Sequence, residues 1–471
     1  MQLFFSKKYI ILFVLCVSLF SYGQDTLMLK KGIIVDSLLV PETESTFTIY
    51  LPKAFDMNKT WPLLLGFDSN NKARNLTEIY KVAAEELGYV VAVTNFSKEH
   101  TIKEKMNYVS VFMNHIFSLF PIQRGRVYVT AIKDDAKLVS LLPIIYPKEI
   151  FGVIAVEDSY YYDNRVQMGK NFTHFGLVNI NNYRYKDFRN NLRYLKRKAI
   201  PAYLLTYEGE LPDQNLIKNA LTTFTLQSML KGRTHKDSVW VQEQYQKDLR
   251  QVKIYQSSQE YLLAYEEVKR IRNLYRLFFQ TDSLKEKEKE IRKIPGYKKQ
   301  RKLRNKFNSK ENILRETFLW SIEEDVEVIA YDNLGWWQYQ MSEMDTLIKS
   351  KERYASAMGY RVKGYVKYLV NELKTTLPKK EINVEKRMFL NILSTIIDKK
   401  DFESYRTVIS LSAQDQDYNT ALFYLNELLQ NGYKDIDALY TIEGTLALKL
   451  SKEYNGLIKK HLGTARYFFP K

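Results

Sequence analysis

Lys133 is the residue whose type and neighbours come nearest to a reactive group in this 471-residue sequence. It follows the β-branched run Arg126–Thr130 and directly precedes Asp134 and Asp135. A lysine becomes a nucleophile or a base when burial removes its charge. The two neighbouring carboxylates favour the charged, unreactive ammonium instead. The sequence therefore predicts no catalytic lysine at this turn.

A serine paired with a histidine is the other chemistry that the sequence allows, and the chain has five histidines. Ser159 comes at the end of a strand-like run, and His174 begins the next one. A hydroxyl becomes a nucleophile when an imidazole within hydrogen-bond reach takes its proton. An active site built from Ser140 or Ser159 with His174 or His235 therefore remains open.

Metal and cofactor chemistry lacks its usual residues. The one cysteine, Cys16, excludes a cysteine-bearing metal cluster and a disulfide framework. The sequence contains no H-E-x-x-H pair, no P-loop, no G-x-G-x-x-G turn and no calcium-binding D-x-D-x-D-G loop. We expect neither a metal nor a cofactor.

The first 23 residues have the pattern of a secretory signal peptide. Lys7 and Lys8 precede the apolar run Tyr9–Phe20, and small residues precede a predicted cleavage before Gln24. An apolar run of about 12 residues is shorter than the roughly 20 that span a bilayer. We expect export to the periplasm or beyond, without a transmembrane anchor in the mature chain.

Short β-branched and aromatic runs alternate with helical patterns from Asp25 to about Tyr207. Nearly continuous apolar runs are typical of strands that are covered on both faces. This alternation predicts a parallel sheet with helical crossovers, and beyond about Asp213 the strand pattern gives way to helix alone. The predicted strands are 46–50, 62–66, 89–95, 126–130, 152–156, 175–180 and 201–207, and predicted helices include 76–87, 108–120 and 135–145.

The order of these elements resembles that of secreted α/β-hydrolase-fold serine esterases. The resemblance covers about Gly32 to Gly232 and rests on several short runs, none of which is specific by itself. It implies an α/β-hydrolase-like sheet domain and, in an active member, a catalytic serine, acid and histidine. The matching runs are Thr48–Pro52, Trp61–Leu65, Gly88–Val91, Arg126–Thr130, Tyr146–Pro147 and Phe151–Ala155.

The three positions that the resemblance assigns to a catalytic triad carry unsuitable residues. The G-x-S-x-G turn of the family reads A-I-K-D-D at residues 131–135, so Lys133 replaces the serine and both glycines are missing. Asn182 stands where the family has an acid, and an amide cannot stabilise an imidazolium as a carboxylate does. The turn that should hold the histidine contains Glu210. We therefore expect a degenerate member of the family with no catalytic residue.

The second half of the chain is predicted to be a separate helical domain. We expect a signal peptide at residues 1–23, the hydrolase-like domain at 24–235 and an all-helical domain at 236–471. The apolar spacing of residues 402–462 resembles tetratricopeptide-like helical hairpins. An ordinary helical bundle explains the same spacing and remains open.

Aromatic clusters and one basic segment are the candidate binding surfaces, because Tyr and Trp are frequent in such surfaces. Residues 282–310 hold 12 Lys or Arg against 4 Asp or Glu. This segment is either a solvated helix pair or a surface that attracts an anionic partner. The candidate ligand-binding residues are Tyr160, Tyr161, Asn182 and Tyr183, and the candidate partner-binding residues are Trp336, Trp337, Lys298, Lys299, Arg301 and Lys302.

Three functions remain open on the sequence. We favour an exported, non-catalytic hydrolase-fold protein that acts as a binding or interaction scaffold through its cleft and its helical domain. The first alternative is an active serine esterase with a displaced catalytic site. The second is a helical adaptor that docks a protein or an anionic envelope surface, with a purely structural hydrolase-like half. A nucleic-acid partner is not expected, since no recognition module is visible.

Overall fold

The computed structural model describes residues 30–41, 43–376 and 383–467. The predicted signal peptide at residues 1–23 lies outside them. The chain divides into two compact units between Val127 and Tyr128. This division falls inside one strand, β5, which runs over Ile122–Ile132. The expected domain boundary between residues 235 and 236 stays a prediction.

The first unit combines parallel and antiparallel strands. Its elements are β1 (Ile34–Leu39), β2 (Thr46–Tyr50), β3 (Trp61–Asp68), β4 (Val90–Asn95), α1 (Ala73–Leu87) and α2 (Ile102–Leu119). β3 pairs parallel with β4, whereas β2 pairs antiparallel with both β1 and β4. These antiparallel pairs differ from the parallel sheet that the sequence predicted. The short turn between β1 and β2 allows only antiparallel pairing of those two strands. The sequence missed β1, whose apolar pattern is interrupted by Asp36 and Ser37.

The strands of the second unit are parallel and follow the order β5-β6-β7-β8, with β6 at Gly152–Val156, β7 at Thr173–Asn179 and β8 at Ala202–Tyr207. Every residue of β6 is buried, which explains its uninterrupted apolar run. The connecting helices are α3 (Asp134–Ile145), α4 (Tyr185–Arg197) and α5 (Gln214–Leu230). Parallel strands end at the same edge of a sheet, so the residues after β5, β6, β7 and β8 form one candidate site.

The rest of the second unit is helical, as the sequence predicted. None of the described helices is long and apolar enough to span a bilayer. The helices are α6 (Ser238–Ser257), α7 (Tyr261–Tyr275), α8 (Asp282–Lys293), α9 (Pro295–Val328), α10 (Leu334–Ile348), α11 (Arg353–Thr376), α12 (Val384–Ile397), α13 (Phe402–Gln414), α14 (Tyr418–Gln430), α15 (Ile436–Tyr440), α16 (Leu446–Lys449) and α17 (Lys452–Leu462).

Three apolar cores hold these helices together. Tyr275 lies in the core of α6 to α9, and Trp337 lies in the core shared by α9 to α12. Leu425 and Tyr454 lie in the core of α13 to α17. Each core is built from the apolar faces of amphipathic helices, which is the pattern that the sequence showed. A tetratricopeptide-like arrangement of the last group stays a prediction.

Candidate functional site

Lys133 lies at the turn between β5 and α3, and its backbone has φ 58° and ψ −131°. Its N–H donates to the carbonyl of Val156 at 2.8 Å, and its carbonyl accepts from the N–H of Ala136 at 2.9 Å. A residue with a Cβ is strained at this positive φ. A sharp strand-to-helix turn of this kind presents the nucleophile in α/β hydrolases. Here it presents an exposed lysine side chain.

The two residues that replace the expected glycines are both buried. Ala131 is fully buried at the end of β5, and Asp135 is buried in the first turn of α3. Asp134 stays exposed beside Lys133. The turn is therefore packed against the protein through Ala131 and Asp135. The side chains of Lys133 and Asp134, a cation and a carboxylate, face the solvent.

Asn182, at the position expected for the catalytic acid, uses its amide as a hydrogen-bond donor. Its Nδ2 lies 2.9 Å from the carbonyl oxygen of Glu157 and 2.5 Å from Glu157 Oε2. The other carboxylate oxygen of Glu157 accepts from the Asn179 N–H at 2.6 Å and from the Tyr207 hydroxyl at 2.5 Å. Glu157 thus joins the ends of β6, β7 and β8, and a second carboxylate at position 182 would repel it.

Two helices of the helical region hold the loop that carries Asn182. Arg361 of α11 donates to the carbonyl of Ile180 at 2.8 Å, and Arg315 of α9 donates to the carbonyl of Tyr183 at 2.6 Å. Both guanidinium groups share the carboxylate of Glu311, with distances of 2.6 Å from Arg361 and 2.9 Å from Arg315. All three side chains are buried. A buried, shared ion pair that also binds the backbone fixes this loop against the helices.

The next residue of the loop, Arg184, lies against two tyrosine rings. Its guanidinium is 4.9 Å from the ring centroid of Tyr183 and 4.6 Å from that of Tyr368, and the two rings stack at 5.2 Å. Arg184 Nε is also 3.5 Å from Asp158, which Lys137 approaches from the other side at 3.3 Å. Burial raises the pKa of the Asp158 carboxyl, and the two cations counter part of that rise. Tyr183 is thus engaged in a helix contact.

The turn after β8, where the family has its histidine, is tied to α11 as well. Glu208 forms an ion pair with Arg353 at 2.7 Å. Gly209 adopts φ 96° and accepts a hydrogen bond from Asn179 Nδ2 at 2.5 Å. Glu210 is exposed at the tip of this turn. The turn that the sequence predicted is present, and the residue at its tip is an exposed carboxylate.

Ser159 and His174 do approach each other, as the alternative active site requires. Ser159 Oγ is 3.3 Å from His174 Nε2 and 3.1 Å from Ser140 Oγ. Asn191 Nδ2 also lies 3.4 Å from the same hydroxyl, and the Tyr162 hydroxyl donates to the Ser140 carbonyl at 2.7 Å. These side chains form a buried polar network beneath α3 and α4.

The environment of this pair opposes catalysis. Burial lowers the pKa of His174 from 6.5 to about 4, so the imidazole is neutral at pH 7 but a weak base. A triad carboxylate would act in the opposite direction, because it stabilises the imidazolium. His174 is 3% exposed and Ser159 is 9% exposed, which leaves little access for a substrate. His235 lies apart from the pair, exposed in the loop between α5 and α6.

The candidate binding residues have mixed surroundings. Tyr161 is 56% exposed, whereas Tyr160 is half-buried and packs edge-on against Tyr162. Trp337 is fully buried and donates from its indole to Asp325 at 2.6 Å. It is therefore a core residue and offers no surface to a partner, which corrects the sequence interpretation. Trp336 is half-buried against Phe318, and the cations Lys298, Lys299, Arg301 and Lys302 are exposed on α9.

Sequence reasoning missed Glu157, Glu311, Arg315 and Arg361. Glu157 follows β6 directly, and a carboxylate at the end of a buried strand was a usable signal. Arg361 gave none, because it lies 181 residues from the carbonyl that it binds. Among the described residues, no group of His, Cys, Asp and Glu side chains is arranged to hold a metal ion.

No protein-family model matches the sequence, and a search of curated proteins finds no match. Among solved structures, the feruloyl esterase module from Clostridium thermocellum is 12% identical over 40% of this chain and 85% of its own, with a TM-score of 0.33. The S-formylglutathione hydrolase from Staphylococcus aureus is 12% identical over 42% of this chain and 99% of its own, with a TM-score of 0.34. An esterase from Pyrobaculum calidifontis is 9% identical over 42% and 87%, with a TM-score of 0.34. TM-scores this low support no conclusion about the function of this chain.

Proposed function

We propose that this protein is a non-catalytic α/β-hydrolase-fold protein that acts as a binding or interaction scaffold through its cleft and its helical domain. The observation that carries the proposal is the strained turn at Lys133, which has the backbone of a nucleophile turn and no hydroxyl or thiol. Asn182 supports it, since its amide donates to Glu157. Glu210 adds a third unsuitable residue. Loss of a serine nucleophile alone costs about a millionfold in rate in a serine protease.

The contacts of the helical region favour a scaffold over an enzyme. Arg315 and Arg361 bind the backbone of the loop around Asn182, and Tyr368 stacks on Tyr183. These groups lie beyond the carboxyl end of β7, which is where α/β folds usually open a ligand cleft. The loop is thus committed to packing, whereas the side chains of Lys133 and Tyr161 stay exposed.

A serine-directed fluorophosphonate probe and a panel of short-chain esters test this proposal. We expect wild-type protein and the Lys133→Ser variant to stay at background in both assays, because neither has the acid and the histidine. An esterase with an intact triad serves as the positive control. Labelling of any serine in the wild-type chain, or ester turnover above background, would overturn the proposal.

A displaced esterase site at Ser159 is the second candidate, and the 3.3 Å contact with His174 favours it. The same probe experiment separates it from the scaffold function. An active pair predicts labelling that disappears in Ser159→Ala and persists in Ser140→Ala. We expect no labelling in either variant, because the hydroxyl is buried and the imidazole is a weak base.

We also propose that the protein is exported, on the basis of the signal pattern in residues 1–23. Cell fractionation and amino-terminal sequencing test this. A processed chain that begins at Gln24 and lies outside the cytoplasm is expected. An uncut chain in the cytoplasm would contradict export and leave the scaffold proposal untouched.

A further inference from the structure

A cavity of about 840 Å³ lies between β8, the helices α4 to α9 and the start of α11 in the second unit. Five consecutive residues of β8, Ala202 to Thr206, form one wall of it. The cavity is of the size that holds a small ligand or a short peptide segment. At about 3.3 Å per residue, the β8 wall is about 16 Å long. The cavity therefore follows the strand along most of its length.

The outer edge of β8 is available for backbone pairing. β8 ends the strand order of the described sheet. The carbonyl of Pro201 accepts from the N–H of His174 in β7, and the carbonyl of Tyr207 accepts from the N–H of Ile180, directly after β7. Backbone polar groups alternate in direction along a strand. The even-numbered residues Leu204 and Thr206 therefore direct their N–H and C=O groups to the outer edge. Residues 203–206 are all half-buried, although their side chains alternate between the two faces of the strand. Partial exposure on both faces is expected for a strand at the edge of a sheet.

The wall of the cavity is strongly cationic. Ten of its side chains are Lys or Arg and two are Glu. Both glutamates are already paired, Glu267 with Arg270 at 2.6 Å and Glu266 with Arg304. Arg304 Nε is buried with no hydrogen-bond partner. Arg353 forms ion pairs with Glu208 at 2.7 Å and Glu260 at 3.1 Å, both outside the wall. Arg193 on α4 and Arg301 on α9 meet no further carboxylate of the wall.

One titration shift agrees with this crowding of positive charge. Desolvation and the like charge of Lys269 lower the pKa of Lys196, which also lines the cavity. A bound carboxylate would oppose both effects. The wall thus combines an unpaired strand edge with an excess of positive charge.

We infer that an extended acidic peptide segment of a partner protein adds to the outer edge of β8 as a further strand. Its backbone pairs with Leu204 and Thr206, and its carboxylates meet the cations on α4 and α9. Strand addition of this kind takes affinity from main-chain hydrogen bonds and specificity from alternate side chains. The inference deepens the proposed scaffold function by naming one partner and its place.

Fluorescence anisotropy of a labelled peptide with alternating Glu and Val residues, titrated with the full chain, tests the inference. We expect saturable binding that weakens as salt is raised. A Lys-for-Glu peptide and a peptide methylated on alternate backbone nitrogens should each bind at least about tenfold more weakly. Equal binding of the methylated peptide would overturn strand addition and leave a plain anion site. Absence of binding by the Glu/Val peptide would overturn the inference entirely.

Charge variants of the chain test whether the peptide binds in this cavity. The double variant Arg193→Glu with Arg301→Glu should weaken the Glu/Val peptide at least about tenfold. The control double variant Lys198→Glu with Lys302→Glu changes the net charge equally, directly after α4 and on α9, outside the cavity wall, and should leave binding nearly unchanged. Equal weakening by both pairs would contradict a local site. All four side chains are exposed, and circular dichroism checks that each variant folds. Peptide binding and fluorophosphonate labelling are separate readouts, so either proposal can fail alone.

Discussion

The turn at Lys133 and the loop around Asn182 depart from an ester hydrolase in opposite ways. At the turn, the backbone has the strained geometry of a nucleophile turn, and the side chain is exposed. At the loop, the polar groups are bonded to their surroundings: Asn182 to Glu157, and the backbone carbonyls to Arg315 and Arg361. One region has geometry without a reactive group, and the other has polar groups committed to packing.

This difference shows how to tell whether a polar residue at the edge of an α/β sheet serves chemistry or stability. A side chain that is exposed to a substrate can do chemistry, whereas one that satisfies a buried partner contributes to stability. The comparison therefore predicts that changes in the loop and in the buried network lower the free energy of unfolding. Changes at the turn should leave it unchanged or raise it.

The largest effect is expected for Arg361→Ala. It leaves the buried Glu311 carboxylate with half of its compensation and removes the hydrogen bond to the Ile180 carbonyl. Breaking a buried ion pair costs about 3 to 5 kcal/mol. Urea unfolding followed by circular dichroism measures the loss.

Arg353→Ala is the matched control for that experiment, because it removes another arginine of α11 that reaches the sheet. The Arg353 side chain is 35% exposed and its partner Glu208 is 58% exposed, and surface pairs of this kind contribute about 1 kcal/mol or less. If Arg353→Ala cost as much as Arg361→Ala, the loop would not be held by its buried ion pair.

The second effect is a pH dependence from His174. Its pKa in the folded protein is about 4, below the ordinary 6.5, so the unfolded chain binds the proton more readily between these values. Stability is therefore fully present above about pH 6.5 and is lost as the pH falls towards 4, by about 3 kcal/mol. Unfolding curves of wild type and His174→Gln across this range give the difference. The exposed His235→Gln control should keep the wild-type slope, and a slope unchanged in His174→Gln would place the proton elsewhere.

The third effect is expected for Asn182→Asp, which places a carboxylate where the sequence resemblance predicted a catalytic acid. It exchanges a donor for a second carboxylate beside Glu157, and we expect a loss of about 2 kcal/mol at neutral pH. The loss should shrink as the pH falls, because one of the two carboxyls then takes a proton and donates to the other. Asn181→Asp is the control in the same loop. A stable Asn182→Asp variant with unchanged pH dependence would show that the Glu157 carboxylate does not require an amide donor at position 182.

Most of the strands could be predicted because they depend on local patterns. The apolar run of β6 indicated a strand buried on both faces, and Lys133 follows β5 without the glycines that a nucleophile turn needs. The end of β6 pointed to Glu157, but its hydrogen bond to Asn179 could not be predicted, because the two residues lie 22 positions apart in the chain. The contact between Arg361 and Ile180 could not be predicted either, because it spans 181 positions. Trp337 was misjudged because the sequence does not show which of two adjacent tryptophans on a helix is buried in the core.

The smallest effect, and the only gain, is expected for Lys133→Gly. A residue with a Cβ at φ 58° carries strain of about 1 to 3 kcal/mol, whereas glycine accepts this backbone freely at an entropic cost of about 1 kcal/mol. We expect Lys133→Gly to raise the free energy of unfolding by about 1 kcal/mol. Lys133→Ala removes the same exposed side chain and keeps the strain, so it should change stability little. If both variants lose stability equally, the lysine side chain itself stabilises the fold. The turn would then depend on its polar group, as the loop around Asn182 does.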